Sequence, residues 1–423
     1  MDLAEAHQLH AFFFPFMAQG HLIPFVDMAR LFSSHGVKVT IITTPLNARL
    51  FSNTIDRGKQ LGLDISILLI PFPSEEAGLP QGYENAGSFT NFPAVASKFF
   101  DALSLFQQPF EDLLKEYRPD RIVADMFFPW VTDVSQSLGY LVSYFMELVS
   151  SSLCVSDNRY LCCFGSSRSD RVDEVSALDS LKKPTHFGKM MERIRESEGR
   201  SFGILVNSFN ELEPTYADHY RKVVGRKAWH IGPVSLSNMD IADKAERGNK
   251  ASIDEHVLND EEAEQRRIIE EFEKKMEGRG LIIRDWAPQI LFLDHPAVGG
   301  FVTHCGWNST LESISAGVPM ITWPLFAEQF HNEKLVTQVL KVGLSVGAME
   351  FQRVGGEKEV VKRDNIKKTV EQLMGSGEEA ELMRSRVREL KKMAERALEE
   401  GGSSYADVTT LIEELRQLPW PAI

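Results

Sequence analysis

The sequence predicts an α/β protein built on parallel sheets and divided into two domains, on three observations. Short apolar runs, β-branched or aromatic, recur along the chain, and helix-length segments separate them. The third is size: 423 residues, 43% hydrophobic and 25% charged, are ordinary globular composition and comfortable for two cores. Continuous apolar runs spaced by helical patterns suit strands buried on both faces beneath covering helices.

In the first half, strands are expected at His10–Phe14, Val37–Thr43, Ile65–Ile70, Arg121–Ala124, Leu141–Phe145 and Gly203–Asn207, with a helix over Ile23–Ser33. The second half repeats the idiom, with strands at Gly280–Arg284, Gly300–Thr303, Val318–Thr322 and Leu344–Val346 and helical patterns at Thr310–Ala316 and Phe330–Val342. Helices near 363–374, 377–399 and 404–417 close the chain, and Gly401-Gly402 stops one before the next begins. Between the halves, 238–280 is charged almost throughout. It reads as a linker followed by an amphipathic helix with Ile268, Ile269 and Phe272 on one face, whose glutamates are a solvated surface rather than a partner site. The expected organisation is therefore 1–237 as a first domain, 238–279 as linker and helix, 280–403 as a second domain, and 404–423 as a closing helix and tail.

Composition excludes several functions. With 46 basic and 60 acidic residues the net charge is −14, the wrong sign for nucleic acid or an anionic membrane surface. Four cysteines without CxxC spacing indicate neither a disulfide scaffold nor a zinc site, so reduced thiols are expected. The opening "MDLAEAHQLHAFFFPFM" carries Asp2 and Glu5 where a secretory leader would be basic, and its apolar run is far short of the roughly 20 residues of a membrane span. The expectation is a soluble, cytoplasmic protein. A dinucleotide oxidoreductase would need GxGxxG after a strand with an acid about 20 residues on, and no such array is present.

Two strand-to-helix turns carry the candidate chemistry. In "FVTHCGWNST", residues 301–310, a strand ends at Thr303 and a helix starts near Asn308. Unpaired N–H groups of a helix's first turn favour an anion at the carboxyl end of a parallel strand. Gly306 allows close backbone approach, Asn308, Ser309 and His304 add donors, and Glu312 faces the same side one turn on, which suits a phosphate beside a ribose. From these residues alone an N-capped helix with a buried Trp307 is an equal reading. In "FMAQGHLIPFVDMARLF" His21 sits at a helix start, where imidazolium is disfavoured, and "RIVADMFFPW" ends a strand at Asp125. If the two strands are neighbours, Asp125 can accept from one imidazole nitrogen and leave the other to take a proton from a hydroxyl. A surface histidine and a turn aspartate are the plainer alternatives.

Context adds a resemblance. "WAPQILFLDHPAVGG" precedes the turn and "VPMITWPLFAEQF" follows it, so Trp286 to Gln329 resembles the 44-residue signature box of plant secondary-product UDP-glycosyltransferases. "FFFPFMAQGHLIP", "GLPQGYENA" and "VNSFNELEPTYADHY…WHIGPVSL" extend it over most of the chain, the last being typical of the group that glucosylates flavonoids, terpenoids and small phenolics. The resemblance implies a GT-B fold of two facing Rossmann-like domains, the first binding acceptor and the second binding donor. It implies that Trp286 stacks on uracil, that Gln289 holds uracil or ribose, and that Ala287, Gly306 and Trp307 belong to the donor site. His304, Asn308 and Ser309 then contact diphosphate, Glu312 the ribose, and Glu328 and Gln329 the sugar hydroxyls, with glucose expected from the final glutamine. His21 and Asp125 match the catalytic pair of an inverting displacement. The helix N-terminus would stabilise the leaving phosphate, so neither metal nor cofactor is expected beyond UDP-glucose as co-substrate. The other partner is a small lipophilic hydroxylated acceptor, and a monomer is expected.

The chain also departs from that family. There the donor domain begins with a strand ending in Phe-Gly-Ser, a helix and another strand, and nothing between Ile253 and Gly280 supplies them, since a β-α-β unit takes roughly 30 or more residues. "YLCCFGS" at 160–166 imitates the motif but falls in the first domain, and 156–187 looks altered and shortened where it would line the acceptor pocket. The second domain is thus expected to lack its first strands. Either Gly280–Arg284 pairs beside Gly300–Thr303 in a compact remnant, or this half folds poorly. Severely reduced turnover is the expectation, with a non-catalytic UDP-sugar or small-molecule binding protein as the alternative function.

Overall fold

The computed structural model describes residues 7–88, 92–146, 186–238, 240–247, 260–283, 286–325, 328–348 and 360–419. Most of 156–187, including the Phe-Gly-Ser imitation, lies outside them.

The first domain is built on a parallel seven-stranded sheet of order β3-β2-β1-β4-β5-β6-β7. Its strands are β1 His10–Phe14, β2 Lys38–Thr43, β3 Ile65–Leu69, β4 Arg121–Asp125, β5 Val142–Met146, β6 Gly203–Val206 and β7 Ala228–His230. Six fall where the apolar runs place them. The seventh, Ala-Trp-His, is too short to show as a run. Side chains alternate across the sheet: Phe12 and Phe14 of β1 pack on one side with Phe106, Phe110 and Phe128, and Ala11 and Phe13 on the other with Phe25 and Phe32 of the helix Gln19–Ser34.

A second parallel sheet has the order β10-β9-β8, from Phe301–Thr303 (β8), Met320–Thr322 (β9) and Gly343–Ser345 (β10). Helices at Trp307–Ala316, Arg363–Met374 and Glu378–Leu398 accompany it. The expected strand at Gly280–Arg284 is corrected: 280–283 are not in a strand, and Leu281 and Ile283 are 81% and 41% exposed. A parallel strand is held by layers on both faces, and here β8 itself leaves Val302 53% exposed, so pairing would bury little. The helix of the charged linker forms at Asp260–Met276, but Ile268, Ile269 and Phe272 remain 44–58% exposed. A short helix at Ile241–Glu246, capped by Asp240 accepting from Asp243 N, was not anticipated in so charged a stretch.

The two domains share apolar packing. Phe209, Leu212 and Tyr216 of the first lie in one buried cluster with Trp307, Leu311 and Ile314 of the second. The closing helix Ser403–Gln417 returns to the first domain, where Val408, Leu411, Ile412 and Leu415 join the core beneath β1 and β2. Arg121, buried in β4, donates to the carbonyls of Leu415 and Leu418 at that helix's end, where peptide oxygens lack helical partners. Among the described residues no helix is long and apolar enough to cross a membrane.

Candidate active site

The strand order explains where the site forms. β1 lies between β2 and β4, so the connections leaving its two neighbours diverge there, the position at which open parallel sheets bind ligands. Phe14 pairs with Ala124, which brings Asp125 beside the start of the loop that leads from β1 to the helix carrying His21. Asp125 is fully buried, and its Oδ2 lies 2.7 Å from His21 Nδ1. Its other oxygen accepts from Phe127 N at 3.0 Å, so both are engaged. The conditional pairing of these two residues is therefore realised.

An aromatic wall surrounds the imidazole. The rings of Phe16 and Phe127 lie 5.1 and 5.4 Å from it, edge to face, and Phe100 stacks on Phe16. Sequence reasoning passed over these residues, although "MFFPW" directly after Asp125 was the signal. An apolar, flat-sided surface beside a base suits an aromatic acceptor.

The second turn faces the first from the other domain. Cys305 sits in the left-handed region at φ 67°, held there by its N–H on Thr303 Oγ1 and by Asn332 Nδ2 on its carbonyl. The chain then enters the Trp307–Ala316 helix with no side chain capping it, and its first intrahelical bond is Thr310 N to Gly306 O. The N–H groups of 307–309 thus have no helical acceptor. The His304 ring lies over Gly306, where a Cβ would run into Nε2, and partial burial lowers the His304 pKa, favouring neutral imidazole. Asn308 Nδ2 donates to the Gly20 carbonyl at 2.6 Å, and Asn308 Oδ1 accepts from Asn207 at 3.4 Å. The helix start at 307–309 therefore lies against the residue that precedes His21.

Gln289 Nε2 donates to Glu312 Oε2 at 2.6 Å and to Ser309 Oγ at 3.1 Å, which unites three of the residues expected at the nucleotide. Trp286 and Ala287 are half-buried in the segment leading to them. Burial pushes the Glu328 carboxyl up, against a backbone hydrogen bond and the charge of His21, which act the other way. Gln329 is buried, and its carboxamide oxygen accepts from Leu325 N at 2.9 Å. Trp307 is the correction: its indole is 3% exposed and donates to the Asn207 carbonyl at 2.7 Å, so it is core, and only its backbone N–H remains for a ligand. Among the described residues no group of three or more His, Cys, Asp or Glu could hold a metal ion.

Comparison with known proteins places the chain in a family. Residues 8–236 match the family model of the glycosyltransferase N-terminal domain, and residues 270–375 that of the UDP-glucoronosyl and UDP-glucosyl transferases. A scopoletin glucosyltransferase of Nicotiana tabacum is 43% identical, covering 96% of this chain and 98% of the relative. A UDP-glucose flavonoid 3-O-glucosyltransferase of Fragaria ananassa is 44% identical over 99% and 98%. The crystal structure of Glycyrrhiza uralensis UGT73P12 complexed with glycyrrhetinic acid 3-O-monoglucuronide superposes with a TM-score of 0.84 at 36% identity, covering 97% of this chain and 96% of that one. The first two alignments run over 470 and 485 positions, more than the 423 residues present, so these relatives contain residues with no counterpart in this chain. From the matched models, the near-complete coverage and the shared architecture, the chain belongs to the plant UDP-glycosyltransferases and is a GT-B glycosyltransferase.

Proposed function

We propose that the protein transfers glucose from UDP-glucose to a hydroxyl of a small lipophilic acceptor such as a flavonoid, terpenoid or phenolic, with inversion. The observation that carries this is the His21–Asp125 pair, 2.7 Å apart, facing the uncapped helix start at 307–309 across one cleft. His21 takes the acceptor's proton on Nε2 while buried Asp125 stabilises the imidazolium. The acceptor oxygen forms the new bond to the anomeric carbon as the bond to UDP breaks. N–H groups at 307–309, with His304, receive the charge that develops on the diphosphate. Trp286, Gln289, Ser309 and Glu312 hold the nucleoside, and Glu328 and Gln329 the sugar. Relatives named for scopoletin, flavonoid and anthocyanin glucosylation support a flat phenolic acceptor against Phe16 and Phe127. A monomeric, cytoplasmic enzyme is part of the same reading, in keeping with the unpaired, buried Cys305 thiol.

Turnover is expected to be low, because among the described residues the sheet beside the anion turn ends at β8, and the family's diphosphate-binding serine has no counterpart between Ile253 and Gly280. The same feature favours a second reading, binding of UDP-sugar without transfer. Calorimetric titration with UDP beside a glucoside-formation assay separates them. UDP binding with product supports the transferase, binding without product supports the second reading, and the absence of both refutes each.

A further inference from the structure

The linker carries a buried cation that neither domain's chemistry uses. Arg247 follows the Ile241–Glu246 helix, and its side chain is 12% exposed. Nη2 and Nε donate to Asp27 Oδ2 at 2.6 and 3.0 Å, and Nη1 donates to Glu312 Oε1. Asp27 lies on the helix that begins beside His21, and Glu312 on the helix that begins at the anion turn. One guanidinium thus joins the two helices that carry the base and the phosphate site.

Its position is built rather than incidental. Buried Asp243, four residues earlier, accepts from Arg30 at 2.7 Å and from Arg57 at 2.5 Å, and Glu246 accepts from Arg57 at 3.0 Å. These bonds dock the short helix on the first domain and aim Arg247 into the cleft. There Glu312 has both oxygens engaged, one by Arg247 and one by Gln289, and is 7% exposed. A ribose would bring hydroxyl donors to the Glu312 lone pairs of which one is now taken by the Arg247 Nη1 N–H.

We propose that Arg247 competes with the donor's ribose for Glu312, and so sets the affinity for UDP-sugar. Asp27, with two bonds to the guanidinium, keeps the cation paired when Nη1 leaves Glu312. The nucleoside can then bind without a buried charge being left alone. This rests on the reading of Glu312 as the ribose acceptor.

Calorimetry with uridine and UDP on the full chain tests it, since uridine lacks the phosphates that an arginine could attract. Arg247→Gln should bind uridine about tenfold tighter than the unaltered protein, the loss of one charged competitor, and lower the KM for UDP-glucose without a matching rise in kcat. A residue that merely holds the fold would weaken both ligands, and a phosphate contact would weaken UDP alone; either result overturns the proposal. Glu312→Gln separates the premise. If it weakens uridine while Arg247→Gln does not strengthen it, competition fails and the ribose site stands; if it leaves uridine unchanged, the ribose assignment fails and the proposal with it. Should Arg247→Gln not fold, Arg247→Lys keeps a cation beside Asp27 without the planar fork. It should likewise tighten uridine, and unchanged or weaker binding refutes the competition.

Discussion

Asp125→Asn tests the base directly, and its size follows from two hydrogen bonds. The carboxylate is fully buried; Oδ1 accepts from Phe127 N at 3.0 Å and Oδ2 meets His21 Nδ1 at 2.7 Å. Asparagine has one oxygen for these two donors. If the oxygen stays on Phe127, the NH2 faces His21, Nδ1 must accept, and the ring proton moves to Nε2, the nitrogen needed as base. If the amide turns round, Phe127 N–H is left buried without an acceptor, at a cost of about 1–3 kcal/mol. Both arrangements also lose a charge-assisted bond to the imidazolium, about 1.5–3 kcal/mol or roughly 10–150-fold in rate. Combined with the inverted tautomer, kcat should fall about 10²–10⁴-fold. The assay is initial-rate glucoside formation from saturating UDP-glucose and a coumarin phenol, beside UDP calorimetry and a circular dichroism check of the fold. UDP affinity should stay within about twofold, because Asp125 lies on the acceptor side of the cleft. A variant that turns over within threefold of the unaltered chain, with an unchanged pH–rate profile, would refute the dyad.

Three further outcomes are expected. Burial, aided by Arg221, lowers the His230 pKa to about 3; the unfolded chain takes up that proton near pH 6.5, so stability is full above 6.5 and declines as pH falls towards 3 by up to a few kcal/mol. A Tm that is flat from pH 7 to 4 contradicts this, and His230→Asn should shallow the decline. Leu411→Ala removes a fully buried side chain where the closing helix meets the first domain and should cost about 2–5 kcal/mol; a change in the urea midpoint too small to measure would mean the helix is not docked there. Gly306→Ala pushes the His304 imidazole off the anion turn and should weaken UDP about tenfold with little change in Tm; unchanged titration isotherms would remove His304 from the diphosphate site.

Six of the seven strands described in the first domain were legible because each is centred on an apolar run, as a doubly covered sheet requires. The same logic misled at Gly280–Ile283, an apolar run that the structure leaves outside any sheet, since runs report the capacity to be buried and not the presence of neighbours. The His21–Asp125 contact could be stated only conditionally, because it depends on β4 lying beside β1, and strand order is not written in local periodicity. Trp307 left two readings open, and the structure takes the core one for its side chain. Arg247 was invisible, one cation in a segment dense with charge. What distinguishes it is a pair of carboxylates from two distant helices, a tertiary fact.

The return of Ser403–Gln417 to the first domain means that the polypeptide crosses the cleft twice, once through the linker and once near its end. Two straps, not one, therefore resist the lobes swinging apart, and breathing motions must bend both. A chain cut after about residue 400 would lose a strap together with a slab of the neighbouring lobe's interior. A bulky fusion at the carboxyl end would likewise be felt in the half of the molecule that faces the acceptor.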